Sequence, residues 1–157
     1  MEAPLAYQHQ GSTQTLREGL EEYRAANPQL VDEREASSAR IGRFFRAHDR
    51  CHVVFGLNTT IRHEAMADTW TIFGSDIPLR EYTSFLGGPE VQSIFSELGW
   101  WTTITQSVAS LPAAVAAWRY ARRMTTPWPF WDNEAWLDEP LASIRAEHGI
   151  EVVPPRD

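Results

Sequence analysis

The sequence predicts an all-α fold, a single-domain multi-helix bundle, on three observations. Apolar residues recur at three- and four-residue intervals along most of the chain. Residues that start and stop helices bracket those stretches, and Pro and Gly punctuate the gaps between them. The composition, 43% hydrophobic and 22% charged over 157 residues, is that of an ordinary globular chain with enough material for one core. No internal repeat and no low-complexity tract complicates this picture.

Residues 1–11 read as a flexible N-terminal arm, and 12–157 as the domain. "STQTLREGLEEYRAANP" opens the first helix: Thr15 and Glu18 have capping-box spacing, and Leu16, Leu20 and Tyr23 recur on one side. Asn27–Pro28 stops it. A second helix is expected from about Glu33 to Phe55, with Ile41, Phe44, Phe45 and Phe55 as its apolar stripe. Gly56 suits its C-cap, and Asn58 or Thr59 could cap a third helix over about Thr60 to Phe73 with Ile61, Ala65 and Ile72 inside. The short connection favours an antiparallel pair. "GSDIPLREYTSFLGGPE" reads as a loop with short helical pieces, followed by a helix from Pro89 to Leu98. "GWWTTITQSVAS" reads as helix despite its β-branched residues, and Pro112 is expected to begin a separate one, with Arg119, Arg122 and Arg123 near its C-terminus. A Pro-broken aromatic stretch, "TTPWPFWDNEAW", leads to a last helix that Gly149 ends.

Bulk chemistry narrows the function classes. A formal charge of −7 argues against nucleic acid as a partner. All 14 cations are Arg, which fits a codon-biased genome better than a functional demand. Cys51 stands alone, so no intrachain disulfide can form. The N-terminus has neither secretory nor organellar character, and no apolar run approaches the roughly 20 residues of a membrane span. The expected location is cytoplasmic, with peripheral contact on the inner face of the membrane left open.

"AHDRCHVVFGLNTTIRHEA", residues 47–65, holds three of the five histidines. His48 and His52 lie one helical turn apart on the apolar stripe of the second helix and can share one ion. Glu64, on the next helix, faces back toward them. Asp49 sits about 100° off the His48/His52 face, so it either reaches the ion through a local distortion or orients an imidazole. Asp68, one turn beyond Glu64, either accepts a proton or solvates the site. The opposing reading is two core or surface histidines paired with acids by chance. A peptidase is disfavoured, because "HDRCH" replaces the Glu of HExxH by Asp and Gly56 falls one position late for the longer motif. A phosphohydrolase of the HD type would need an earlier helical His, and only His9 precedes.

"HDRCHVVFGLNTTIRHE" resembles the HDxxHx(11)E signature of the Coq-four family of ubiquinone (coenzyme Q) biosynthesis, with His48, Asp49, His52 and Glu64 in the four signature positions. The tail "WDNEAWLDEPLASIRAEHGI" is similar to the family's ending, so the resemblance spans roughly residues 15 to 150. It departs at His63, a position often small in the family; His63 is expected to be exposed, with a spare-ligand role as the alternative.

The resemblance implies an all-α fold with a divalent metal, usually zinc, held by His48, Asp49, His52 and Glu64, between two antiparallel helices. The oxygen/nitrogen donor set also admits Fe, Mn or Co. The resemblance further implies oxidative decarboxylation of the ring carboxylate of a prenylated hydroxybenzoate; the catalytic candidates are His48, Asp49, His52 and Glu64, with Asp68 added from its place one turn beyond Glu64. Two alternatives stand beside it: a non-catalytic lipid-binding organiser of other biosynthetic enzymes, and an enzyme of specialised metabolism acting on another aromatic substrate. A homodimer is a further candidate assembly. Trp100, Trp101, Trp118, Tyr120 and "PWPFW" are candidates for an apolar substrate groove or for core. "LPAAVAAW" running into "RYARRM" could lie on a membrane or within the core.

Overall fold

A computed structural model describes residues 4–28, 30, 38–86 and 100–153, with backbone alone over 100–108. Six α-helices carry the described chain: α1 Leu16–Ala26, α2 Ala39–Phe55, α3 Ile61–Gly74, α4 Leu79–Leu86, α5 Trp100–Ala121 and α6 Leu141–His148. Two short 3-10 turns, Ala6–Gln8 and Asn133–Trp136, complete the order. No strand occurs among the described residues, only isolated bridges at Thr15–Pro140 and Ser75–Trp128. The chain is an all-α single domain, as its periodicity predicts.

Caps set the helix boundaries. Thr15 and Glu18 close the expected capping box on α1, and Leu16, Leu20 and Tyr23 go into the core. Ser38 caps α2, so the described helix begins at Ala39; residues 33–37 of the expected helix lie outside the described residues, as does the one expected from Pro89 to Leu98. Gly56 ends α2 with φ +73°, a left-handed conformation in which a Cβ would also meet Val152 at 2.6 Å. Thr60, neither Asn58 nor Thr59, caps α3. The Asn58 side chain instead accepts from Thr60 N and Oγ1, forming the turn that delivers the cap.

Two expectations about packing change. Ile61, Ala65 and Ile72 are only partly buried, and the interior face of α3 is Met66, Ala67, Trp70, Thr71 and Gly74. The reason is that α3 runs along α5 more extensively than along α2, which rotates its buried stripe toward the long helix. Phe55 of α2 stacks on Trp70 from the other side, with centroids 4.8 Å apart. Pro112 does not begin a helix: α5 is continuous from Trp100 to Ala121 with Pro112 inside it. Ala113, Ala117 and Ala121 repeat every four residues on its buried side, and their packing offsets the missing N–H, a defect of about 3 kcal/mol.

Residues 4–11 are packed, not a loose arm. Tyr7 is wholly buried and donates from its hydroxyl to Leu57 O at 2.8 Å. Glu22 on α1 accepts the backbone N–H groups of Ala6 and Tyr7. Arg145 on α6, with no exposed surface, donates to Tyr7 O and His9 O from this segment and to Val53 O and Val54 O at the end of α2. One guanidinium thus ties α6, the N-terminal segment and the last turn of α2 together.

Candidate metal centre

The arrangement begins with the four-residue step along α2. Phe44, His48 and His52 follow one another on its inner side, and each imidazole lies on an aromatic ring. His48 stacks on Phe44 (5.9 Å, 6°) and His52 on Tyr23 of α1 (5.4 Å, 25°). These contacts leave each ring little freedom about its last torsion and direct both Nε2 atoms to one point. The Gly56–Thr60 turn sends α3 back, and Glu64, in its first turn, supplies an oxygen there.

The three donors converge. His48 Nε2 and His52 Nε2 are 3.2 Å apart, and Glu64 Oε2 lies 3.6 Å from the first and 3.3 Å from the second. For bonds of about 2.0–2.1 Å, a tetrahedral ion sets neighbouring donors roughly 3.3–3.4 Å apart, so these separations fit one small divalent cation. Among the described residues this His-His-Glu group could hold a metal ion. Exposure rises across it, from 1% for the His52 side chain through 15% for His48 to 40% for Glu64. The group therefore opens to solvent on the α3 side.

Its electrostatics are those of a site crowded with donors. Burial opposes charge on His48, but the hydrogen bond and charge of Glu64, then Asp68 and Asp49, outweigh it and raise the imidazole pKa. Burial likewise works against Glu64, yet the two imidazoles hold its carboxyl well below the usual range. The Glu64 charge that favours a proton on His48 would also favour a cation between the three donors. Both Nδ1 atoms are buried with no hydrogen-bond partner among the described residues, so each ring makes its polar contacts through Nε2.

These shifts fix how stability of the metal-free protein follows pH. The raised His48 pKa contributes stability that is complete below about 6.5 and is lost as pH rises through the folded value. The depressed Glu64 pKa contributes stability present above about 4.5 and lost as pH falls. Thermal melts in a chelator should therefore peak between these limits. A Glu64→Gln protein should lose most of that peak; an unchanged profile would contradict the coupling.

The other predicted site residues fall around this group. Asp49 points to Arg24 of α1, at 3.3 Å, and is not one of the three converging donors. Burial raises its pKa, while Arg24 and then the two imidazoles pull it back. Asp68 lies beyond Glu64 and accepts from the Tyr82 hydroxyl. His63 is half-buried and turned away from the donors: its Nδ1 accepts the Asn58 backbone N–H. Burial and then Arg62 lower its pKa, which favours the neutral ring that closes the turn, and His63 is not in the converging His48/His52/Glu64 group. Cys51 is buried between these elements, and its thiol is pushed up to about 12 by burial, far from a thiolate ligand.

Trp128 and Phe130 of "PWPFW" are wholly buried core, not groove, and Tyr120 packs on Trp70. Trp118 stays partly exposed with Leu111 and Val115 on the outer side of α5. The side chains of Trp100 and Trp101 lie outside the described residues. No described helix is long and apolar enough to cross a membrane. Sequence reasoning misses Tyr82, which α4 brings to the site from outside the motif, and the stacking role of Tyr23.

Comparison of the chain with family models, with curated proteins and with solved structures finds no match. The class the fold and site define is accordingly a helical domain with a candidate His-His-Glu metal centre.

Proposed function

We propose that the chain is a metal-dependent enzyme of quinone biosynthesis, replacing the ring carboxylate of a hydroxybenzoate-type substrate by hydroxyl, with dioxygen as the two-electron oxidant and carbon dioxide as the leaving group. The observation that carries this reading is the convergence of His48, His52 and Glu64 within 3.2–3.6 Å on a face open to solvent. Structural zinc sites are commonly closed and rich in thiolates, whereas this group has two imidazoles, one carboxylate and an accessible side. Zinc is the first candidate, with Fe, Mn or Co admitted by the same donors. When bound, the ion supplies Lewis acidity for negative charge that builds up on the substrate as carbon dioxide leaves. The Coq-four resemblance supplies the reaction class.

A second reading, a lipid-binding organiser of other biosynthetic enzymes, is favoured by one feature. Leu111, Val115 and Trp118 form an exposed apolar line on α5, and Arg122 sits over the Trp118 ring. That line would suit peripheral contact with a membrane carrying prenylated substrates.

The test is metal content followed by turnover. Purified chain supplied with divalent ions should retain about one per protein, and the loaded protein should release carbon dioxide from a prenylated hydroxybenzoate. Retention of no ion from any divalent supply ends the proposal. Metal without turnover moves weight to the organiser.

A further inference from the structure

Asp68 occupies a distinctive position beside the donor group. It follows Glu64 by one turn of α3, about 6 Å along the axis, and its charge acts on His48. Tyr82 donates to its Oδ1 at 2.5 Å, whereas Oδ2 has no hydrogen-bond partner among the described residues. Tyr82 is itself wholly buried, 5.6 Å from Phe44 and 6.4 Å from His48 between ring centroids. Burial, then the Asp68 charge, keep its phenol protonated well beyond the ordinary range, so it remains a donor. One carboxylate oxygen is tied from below by a rigid element, and the other is left for something that enters.

We propose that Tyr82 fixes Asp68 as the hydrogen-bond acceptor that recognises a hydroxyl group on a ligand whose anionic end binds at His48, His52 and Glu64. The inference rests on the metal-site reading above and adds the ligand chemistry: an anion with a neighbouring hydroxyl donor. Asp68 touches the ligand, and Tyr82 is the positioning residue. A methyl ether in place of the hydroxyl brings no proton, so a ligand that covers Asp68 Oδ2 strips it of water and returns no donor, the kind of mismatch that discriminates strongly.

Salicylate and its methyl ether, titrated into zinc-loaded protein by calorimetry, provide the test. Chelation differences between the two probes are common to all variants and cancel in the comparison. Wild type should prefer salicylate. Asp68→Ala should lower that preference at least ten-fold, and Tyr82→Phe, which keeps the ring but frees the carboxylate, at least three-fold. Zinc affinity should stay within about three-fold in both, a split that a merely structural role for Tyr82 would not produce.

Unchanged preference in the two variants overturns the inference, as does zinc-loaded wild type that shows no preference or binds neither probe. Loss of zinc by both variants also overturns it, because the pair would then belong to the ion's own support. Wild type that takes up no zinc fails at the first step, before either probe is added, and that result rejects the metal-site reading itself.

Discussion

Arg145→Met should lower the unfolding free energy by about 4 kcal/mol or more, enough to bring a domain of this size close to unfolding at ambient temperature. Methionine replaces the stem of the side chain but none of its donors. The guanidinium serves Tyr7 O at 2.6 Å, Val54 O at 2.8 Å and Val53 O at 3.0 Å, and His9 O at 2.5 Å. Val53 O still accepts from Gly56 N and His9 O from Ser12 N, so the cost falls mainly on Tyr7 O and Val54 O, about 1–3 kcal/mol each, beside the charge-assisted bonds lost to the other two. The charge itself is balanced by carbonyls, two of them at the C-terminal end of α2, where the helix dipole favours a cation. Burial draws the guanidinium pKa down to about 10, which still leaves it charged at neutral pH. Arg145→Lys should lie between, since one ammonium has three donors and no planar fork. Urea denaturation followed by far-ultraviolet circular dichroism measures the difference; a change below about 1 kcal/mol would mean that these carbonyls find other donors.

The second large effect concerns His52→Ala, for which zinc affinity should fall by about three orders of magnitude. Two donors remain, and the more buried imidazole is gone. Asp49→Asn should cost less than about ten-fold, because that carboxylate is engaged with Arg24. Competition with a chromophoric chelator gives both constants. The accompanying melting temperatures separate the two roles a metal could play. A His52→Ala protein that loses metal yet melts near the chelated wild type speaks for a reactive site, and one that unfolds speaks for a structural pin. Equal zinc losses at positions 49 and 52 would restore Asp49 as a direct ligand.

Much of the fold is legible in the sequence because it rests on local signals. The Thr15–Glu18 capping box, the Gly56 and Gly149 stops and the four-residue spacing of His48 and His52 each act within one helix turn. Glu64 follows from the short α2–α3 connection, whereas for Asp49 the helix wheel gives only its offset from the imidazole face, and the resemblance counts it among the ligands, a place the converging donors do not give it. What escapes depends on contacts between distant segments. Residues 4–11 are held by Arg145 and Glu22, and their own composition shows no periodicity that could reveal it. Tyr82 reaches the site only through the placement of α4. Pro112 reads as a helix start because propensity is local, while the alanine packing that carries α5 through it is not. Arg145 does leave a trace: with Leu141, Ile144 and His148 it completes one side of α6, and all four are buried.

The division of donors between two helices, a pair from α2 and a single oxygen from α3, gives the centre a use beyond chemistry. A slip of α3 along α2 by a fraction of a turn would separate the oxygen from both nitrogens while leaving most of the core intact. Cobalt in this position would therefore report, through its visible absorption, on the alignment of the two rods long before any probe of global unfolding responds.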